Sequence, residues 1–197
     1  MKKLVLGLLV STLISTSVFA NATSDFEAGK KAVEAKNYQI AIDYFNSAIK
    51  QNPNYADAYY EKAQVEGTIG KKDDSEASIT KYIQLKPNET KGYNARAVLY
   101  AFTNRQELAL KDLDKSISIN RNDWTTYNAR ALVKHNVKDK ASRAEAYTDI
   151  QRSLEIAPDK VETYRLKALM ELSDRKWISA WLDSRYADSL EKGTKKF

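Results

Sequence analysis

Tyr93-Asn94-Ala95-Arg96-Ala97 is followed, 34 residues on, by Tyr127-Asn128-Ala129-Arg130-Ala131. The same five residues recur, and much of the chain keeps their time. Tyr59, Tyr93, Tyr127 and Tyr164 step by 34, 34 and 37 residues. Each has a basic residue three positions on and an alanine next to it: Lys62-Ala63, Arg96-Ala97, Arg130-Ala131 and Lys167-Ala168. Pro53, Pro87 and Pro158 lie 34 and 71 residues apart, and the missing beat falls at Arg121. Self-similarity at this period marks a helix–turn–helix unit that buries its apolar face by stacking on its neighbours.

Between the tyrosine segments run second helices with one apolar stripe each. Ala41, Phe45, Ala48 and Ile49 are spaced i, i+4, i+7 and i+8. Ser75, Ile79, Tyr82 and Ile83 repeat that spacing, as do Ala109, Leu113, Ser116 and Ile117, and Ala146, Ile150, Ser153 and Leu154. This is the period of one buried helix face. A small residue at the first stripe position lets two helices approach, and a larger one four residues on fills the space beside it. Asn37, Gly70 to Asp73, Thr103-Asn104 and Val137 to Lys140 supply the turns, with three extra residues assigned to the last of them. In Asn52-Pro53-Asn54, Lys86-Pro87-Asn88 and Ala157-Pro158-Asp159, proline stops one helix and the next residue is predicted to cap the following one.

On these residues the chain resembles the tetratricopeptide repeat family over about 24–190. The resemblance implies an all-α, right-handed α-solenoid of about five helix–turn–helix repeats. The repeats run at about 22–55, 56–89, 90–123, 124–160 and 161–192, within a solenoid of 21–192, followed by a basic tail at 193–197. The first unit departs from the pattern, with Ala28-Gly29 at the close-contact position and Asp25 in place of Tyr. The fifth fades after Trp177-Ile178-Ser179-Ala180, with Asp188 at an apolar position, as an end cap would. In this family partners lie in a concave groove lined by the first helices. By register that groove presents Tyr60 and Gln64, then Lys91, Asn94, Val98 and Phe102, then Thr125, Asn128, Leu132 and His135, then Arg165 and Leu169. Asn94 and Asn128 would pair with a peptide backbone, and Val98, Phe102 and Leu132 would supply apolar pockets. The subgroup that clamps a C-terminal carboxylate is excluded, because Glu61, Ala95 and Ala129 stand where its asparagine is needed. The resemblance implies a non-catalytic scaffold with a protein or peptide partner.

The repeated basic residues suggest an anion ladder, but acids match them. Asp112 follows Arg96 by 16 residues, Asp149 follows Arg130 by 19 and Asp183 follows Lys167 by 16. Internal ion pairs Arg96–Asp112 and Arg130–Asp149 are therefore predicted, since a partly buried cation requires a partner.

Residues 1–20 read differently. Lys2-Lys3, an apolar run from Leu4 and Val18-Phe19-Ala20 predict a secretory signal peptide cut after Ala20. No cysteine follows to carry a lipid. The expected location is the periplasm, with secretion as the alternative, and no membrane span remains after cleavage. The 32 basic and 26 acidic residues are interleaved, which predicts a solvated helical surface and not a nucleic-acid stripe. With no cysteine and one histidine, His135, thiolate chemistry and thiolate-ligated metals are excluded and a metal site is poorly provided for. No nucleophile elbow, phosphate-cradling glycine loop or His-Glu-x-x-His is present. No cofactor is expected. Trp124, Trp177 and Trp181 are expected in the core or the end cap. An exposed Trp177/Trp181 face would serve a second contact, including self-association into a homo-oligomer. A glycan-binding or enzymatic role stays as the weaker alternative.

Overall fold

The computed structural model describes residues 21–137 and 139–193. The expected signal peptide and basic tail therefore lie outside the described residues, apart from Gly193. Contacts divide the chain into two compact units, Met1–Pro87 and Asn88–Phe197. Every regular element among the described residues is an α-helix. The first unit holds α1 (21–34), α2 (Tyr38–Gln51), α3 (Ala56–Thr68) and α4 (Lys72–Leu85). The second holds α5 (Thr90–Phe102), α6 (Gln106–Ile119), α7 (Trp124–His135), α8 (Lys140–Ile156), α9 (Val161–Ser173) and α10 (Trp177–Glu191).

Each odd-numbered helix from α3 onward packs mainly on the even-numbered helix that follows it. The predicted stripes are the buried ones. Phe45, Leu113 and Ile150 are fully enclosed, each worth about 1.5–3 kcal/mol of hydrophobic burial. In the first unit Phe45 meets Phe26 with ring centroids 5.8 Å apart, and Ala41, Ala48, Ala58 and Val65 complete the cluster. Gly29 is required here: a Cβ on it would stand 2.5 Å from Cε1 of Phe45.

The turns inside the helical pairs share one construction. Lys36, Gly70, Asn104 and Arg175 have φ of 59°, 81°, 60° and 62°. The next residue then donates its N–H back across the turn: Asn37 to Ala32, Lys71 to Glu66, Arg105 to Tyr100 and Lys176 to Glu171, each at 2.8 Å. This closes the orphan carbonyls of the first helix. Only Gly70 takes the left-handed conformation without steric cost.

Two expectations need correction. The residues after the prolines do not cap the following helix. Tyr55, Glu89 and Lys160 occupy the N-cap positions and make no side-chain cap hydrogen bond, so Asn54, Asn88 and Asp159 fall one residue short. Asp123 and Asp139 do cap, accepting from Thr125 and Ser142 backbone N–H groups at 3.1 and 2.8 Å. The three extra residues of the fourth repeat are not all in its turn. Helix α8 has 17 residues where α2, α4 and α6 have 14, so the insertion extends α8 at its N-terminus. The tyrosines explain how Arg121 stands in for proline. Tyr127 donates its hydroxyl to the Arg121 carbonyl at 3.3 Å, and Tyr164 donates to the Pro158 carbonyl at 3.0 Å. Both bonds use a backbone oxygen that any residue supplies.

Candidate protein-binding face

The basic ladder closes internally. Arg96 donates from Nε and Nη2 to the Asp112 carboxylate at 2.7 and 2.9 Å. Arg130 does the same to Asp149 at 2.9 and 2.6 Å, and its Nη1 reaches Asp114 at 2.7 Å. Burial disfavours the Arg130 charge, but the hydrogen bonds to Asp149 and Asp114 outweigh it and raise its pKa. Lys167 lies 2.8 Å from Asp183. In the second repeat Ser78 replaces the aspartate, and the acid moves to the first helix: Glu66 lies 3.5 Å from Lys62 and accepts from Ser78 at 2.7 Å. These groups tie first helix to second, and both predicted arginine pairs form.

The two asparagines are also structural. Asn94 donates to Thr126 Oγ1 at 2.8 Å, and Asn128 donates to Thr163 Oγ1 at 2.8 Å. The same threonines meet Ser116 and Ser153, each at 3.1 Å. An Asn–Thr–Ser cluster thus joins α5 to α7 and α6, and another joins α7 to α9 and α8. Thr126 and Thr163 are fully enclosed, so the amide donors face the protein and not a peptide. His135 is a second correction. At 7 % exposure it is buried, its Nε2 lying 3.4 Å from Asp174. Arg165 is exposed but committed to α10, with Glu191 at 2.7 Å and Asp188 at 3.7 Å. In the first unit Tyr60 packs against Tyr82, the rings tilted by 56° with centroids 5.2 Å apart, and Gln64 is exposed. Lys91 and Thr125 are exposed at the start of α5 and α7.

Beside these polar groups, the first helices of the second unit leave a set of apolar side chains open. Val98 is 47 % exposed, Phe102 79 %, Leu132 47 % and Leu169 65 %. Val98, Leu132 and Leu169 hold one repeat position on α5, α7 and α9, spaced by 34 and 37 residues. Helix α5 packs beside α7, and α7 beside α9, so these residues form a row within the second unit. Single exposed leucines are ordinary on a protein surface; a row in register is a patch. Leu172, 43 % exposed one turn on from Leu169, extends it and was not foreseen.

Helix α10 carries a second apolar face. Trp177 and Trp181 are exposed and not part of a core, beside exposed Ile178 and Leu182. Ser184 holds the position filled by Leu113 and Ile150 in earlier second helices. Trp124 is half-buried, with the Lys160 ammonium 5.9 Å from its ring. Among the described residues no helix is long and apolar enough to cross a membrane, and no group of three or more His, Asp and Glu side chains is placed to hold a metal.

The tetratricopeptide repeat model matches residues 56–89 and 90–123. These two segments are tetratricopeptide repeats. The chain is 36 % identical over 83 residues to the DnaJ protein P58IPK homolog of Arabidopsis thaliana, a match that covers 42 % of this chain and 17 % of that protein. Among solved structures, a thermophilic TPR protein of Thermus thermophilus aligns with TM-score 0.72 at 20 % identity, covering 89 % of this chain and 93 % of that one. MamA of Desulfovibrio magneticus RS-1 aligns with TM-score 0.68 at 14 % identity, covering 89 % and 98 %. YrrB, described as a TPR protein with an unusual peptide-binding site, aligns with TM-score 0.59 at 13 % identity, covering 85 % of each chain. At these identities the likeness establishes the helical-repeat fold. TPR proteins generally mediate protein–protein interactions and are typically non-catalytic.

Proposed function

We propose that this chain is a non-catalytic adaptor of the cell envelope, holding a partner protein or peptide against the first helices of its second unit. The observation that carries this reading is the open row Val98, Leu132 and Leu169 with Phe102. The amide nitrogens of the neighbouring Asn94 and Asn128 are occupied internally. A partner therefore gains affinity by burying apolar side chains in spaces set by the repeat, and rigid packing lowers the ordering cost of capture. The proposed location is the periplasm, supported by the basic head, apolar run and small-residue cut site of residues 1–20.

The test uses the chain from residue 21 as bait in a crosslinked pull-down from its own envelope. It is run beside a Val98→Ser/Leu132→Ser/Leu169→Ser variant and the exposed-charge control Lys31→Gln. A single dominant prey lost only in the triple variant is the expected result. Prey retained by that variant overturns the assignment of this face.

A second reading has its own observation. The α10 face of Trp177, Ile178, Trp181 and Leu182 is the largest run of exposed apolar residues on one helix among the described residues. It would dock another copy of the chain. Sedimentation at two concentrations, with Trp181→Ala beside the parent, tests it: a dimer abolished by the substitution supports self-association, and a monomer at both concentrations removes it.

A further inference from the structure

A pocket in the second unit is lined by Lys140, Arg143, Ala144 and Tyr147 of α8, by Ser173 at the end of α9 and by Asp174 to Lys176 of the turn that follows. Four of its side chains are cations and one, Asp174, is an acid, so the lining carries 4 − 1 = +3. The acid is already engaged. It accepts from the Tyr147 hydroxyl at 2.8 Å, faces His135 Nε2 at 3.4 Å and lies 3.7 Å from Arg143. Tyr147 is fixed in turn, with the His135 ring edge-on at 6.1 Å and the Lys176 ammonium 4.1 Å from its own ring. Among the described residues no acid pairs with Lys140 or Arg175. The repeated basic residues Lys62, Arg96, Arg130 and Lys167 close on acids, whereas here exposed cations crowd one cavity, and that crowding calls for a reason.

The local construction supplies one. The N-terminal extension of α8, absent from the other second helices, is what brings Lys140 to the rim. The left-handed residue at the opposite rim is Arg175, where the second repeat has Gly70 and the third Asn104. Two guanidinium forks and two ammonium groups around a fixed polar floor suit a compact anion with several acceptor oxygens.

We propose that this pocket binds a phosphate group. Chloride offers one charge and no directional acceptors, so it competes weakly. A phosphate dianion engages an arginine fork and an ammonium at once. The group comes either free in solution or on a lipid headgroup; Trp177 and Ile178, exposed directly after Lys176, lie in sequence where a lipid surface would meet the chain.

The test titrates the full chain with inorganic phosphate at fixed ionic strength, following backbone amide shifts of 140–147 and 173–177. A parallel arm measures co-sedimentation with phosphatidylglycerol vesicles against phosphatidylcholine vesicles. Each is repeated with Lys140→Gln/Arg175→Gln and with Lys31→Gln/Lys50→Gln, which removes the same charge from exposed sites in the first unit. The expected result is saturable binding in at least one arm, weakened roughly tenfold or more by the pocket variant through loss of two charge-assisted contacts, and unchanged in the control. Saturation with phosphate assigns a soluble ligand. Saturation only on anionic vesicles assigns a headgroup. Linear shifts without saturation, or equal loss in both variants, overturn the proposal.

Discussion

Gly29→Ala sets two effects against each other, and the structure says which wins. In an open helix the change stabilises by about 0.8–1 kcal/mol, because alanine has less backbone entropy to lose. At Gly29 the new Cβ would lie 2.5, 2.7 and 3.0 Å from Cε1, Cδ1 and Cζ of Phe45. Carbon atoms rest at about 3.5–4.0 Å, so α1 and α2 must separate by roughly 1 Å or the ring must turn. The ring has nowhere to go, being fully enclosed and packed on Phe26. Overpacking of this kind costs about 1–3 kcal/mol, and the propensity gain offsets only part of it. With three contacts this short the upper half of that range applies, about 2–3 kcal/mol, so the net expectation is a loss of about 1–2 kcal/mol, confined to the first unit. Gly67→Ala is the internal control. Its Cβ would meet only the Ser75 hydroxyl at 3.4 Å, so there the propensity term should win. Urea melts followed by circular dichroism measure both, and Gly29→Ala/Phe45→Leu should recover part of the loss. A Gly29→Ala protein as stable as the parent, or more so, would refute the close-packing argument.

Arg96→Met should destabilise the second unit by about 3 kcal/mol, because it leaves the buried Asp112 carboxylate without its partner. Arg96→Met/Asp112→Leu should recover most of that in a denaturant double-mutant cycle. Thr163→Val removes the acceptor of Asn128 and the partner of Ser153, and should cost about 1–3 kcal/mol by the same melts. Lys36→Gly relieves a left-handed lysine and should raise stability by about 1 kcal/mol; a fall would mean that the lysine side chain outweighs the backbone term. Glu171 has its pKa raised by burial and then by the Asp183 carboxyl, despite Lys167. A raised acid holds its proton more tightly in the folded state, so it opposes folding once pH exceeds the usual glutamate value of 4.5. Glu171→Gln should therefore stabilise at pH 7, and the gain should shrink as pH falls below that value. Thermal melts at both pH values check it, and a loss at pH 7 would show that the Lys167 attraction dominates.

The architecture was legible because helical burial is periodic. Ala109, Leu113 and Ser116 announce a buried face by spacing alone, and Arg96 with Asp112 announces a pair because the offset returns in the next repeat. The candidate face was legible only in part. Val98, Phe102 and Leu132 were found because first-helix register places them. Asn94 and Asn128 were misread because an asparagine looks the same in sequence whether its partner is a peptide or an enclosed threonine. The missed signal was present: Thr126 and Thr163 stand 32 and 35 residues after those asparagines, and Ser116 and Ser153 stand ten before the threonines. His135 was misread for a related reason, since its burial depends on Tyr147 and Asp174, which no local pattern links to it. The phosphate pocket is built by an insertion, and periodic reading treats an insertion as a gap.

The Asn–Thr–Ser clusters bear on how such a chain can grow. A second copy of 124–160 placed after the first would bring Thr126 opposite Asn128 and Ser153, so the Asn128 amide nitrogen and the Ser153 hydroxyl would each meet a threonine again. A second copy of 90–123 would bring Gly92 to the threonine position, and Asn94 and Ser116 would both lose the hydroxyl they share. Duplication is thus permitted at one seam and penalised at the other. Chains that lengthened by copying their own repeats would be expected to carry the imprint of the fourth unit more often than that of the third.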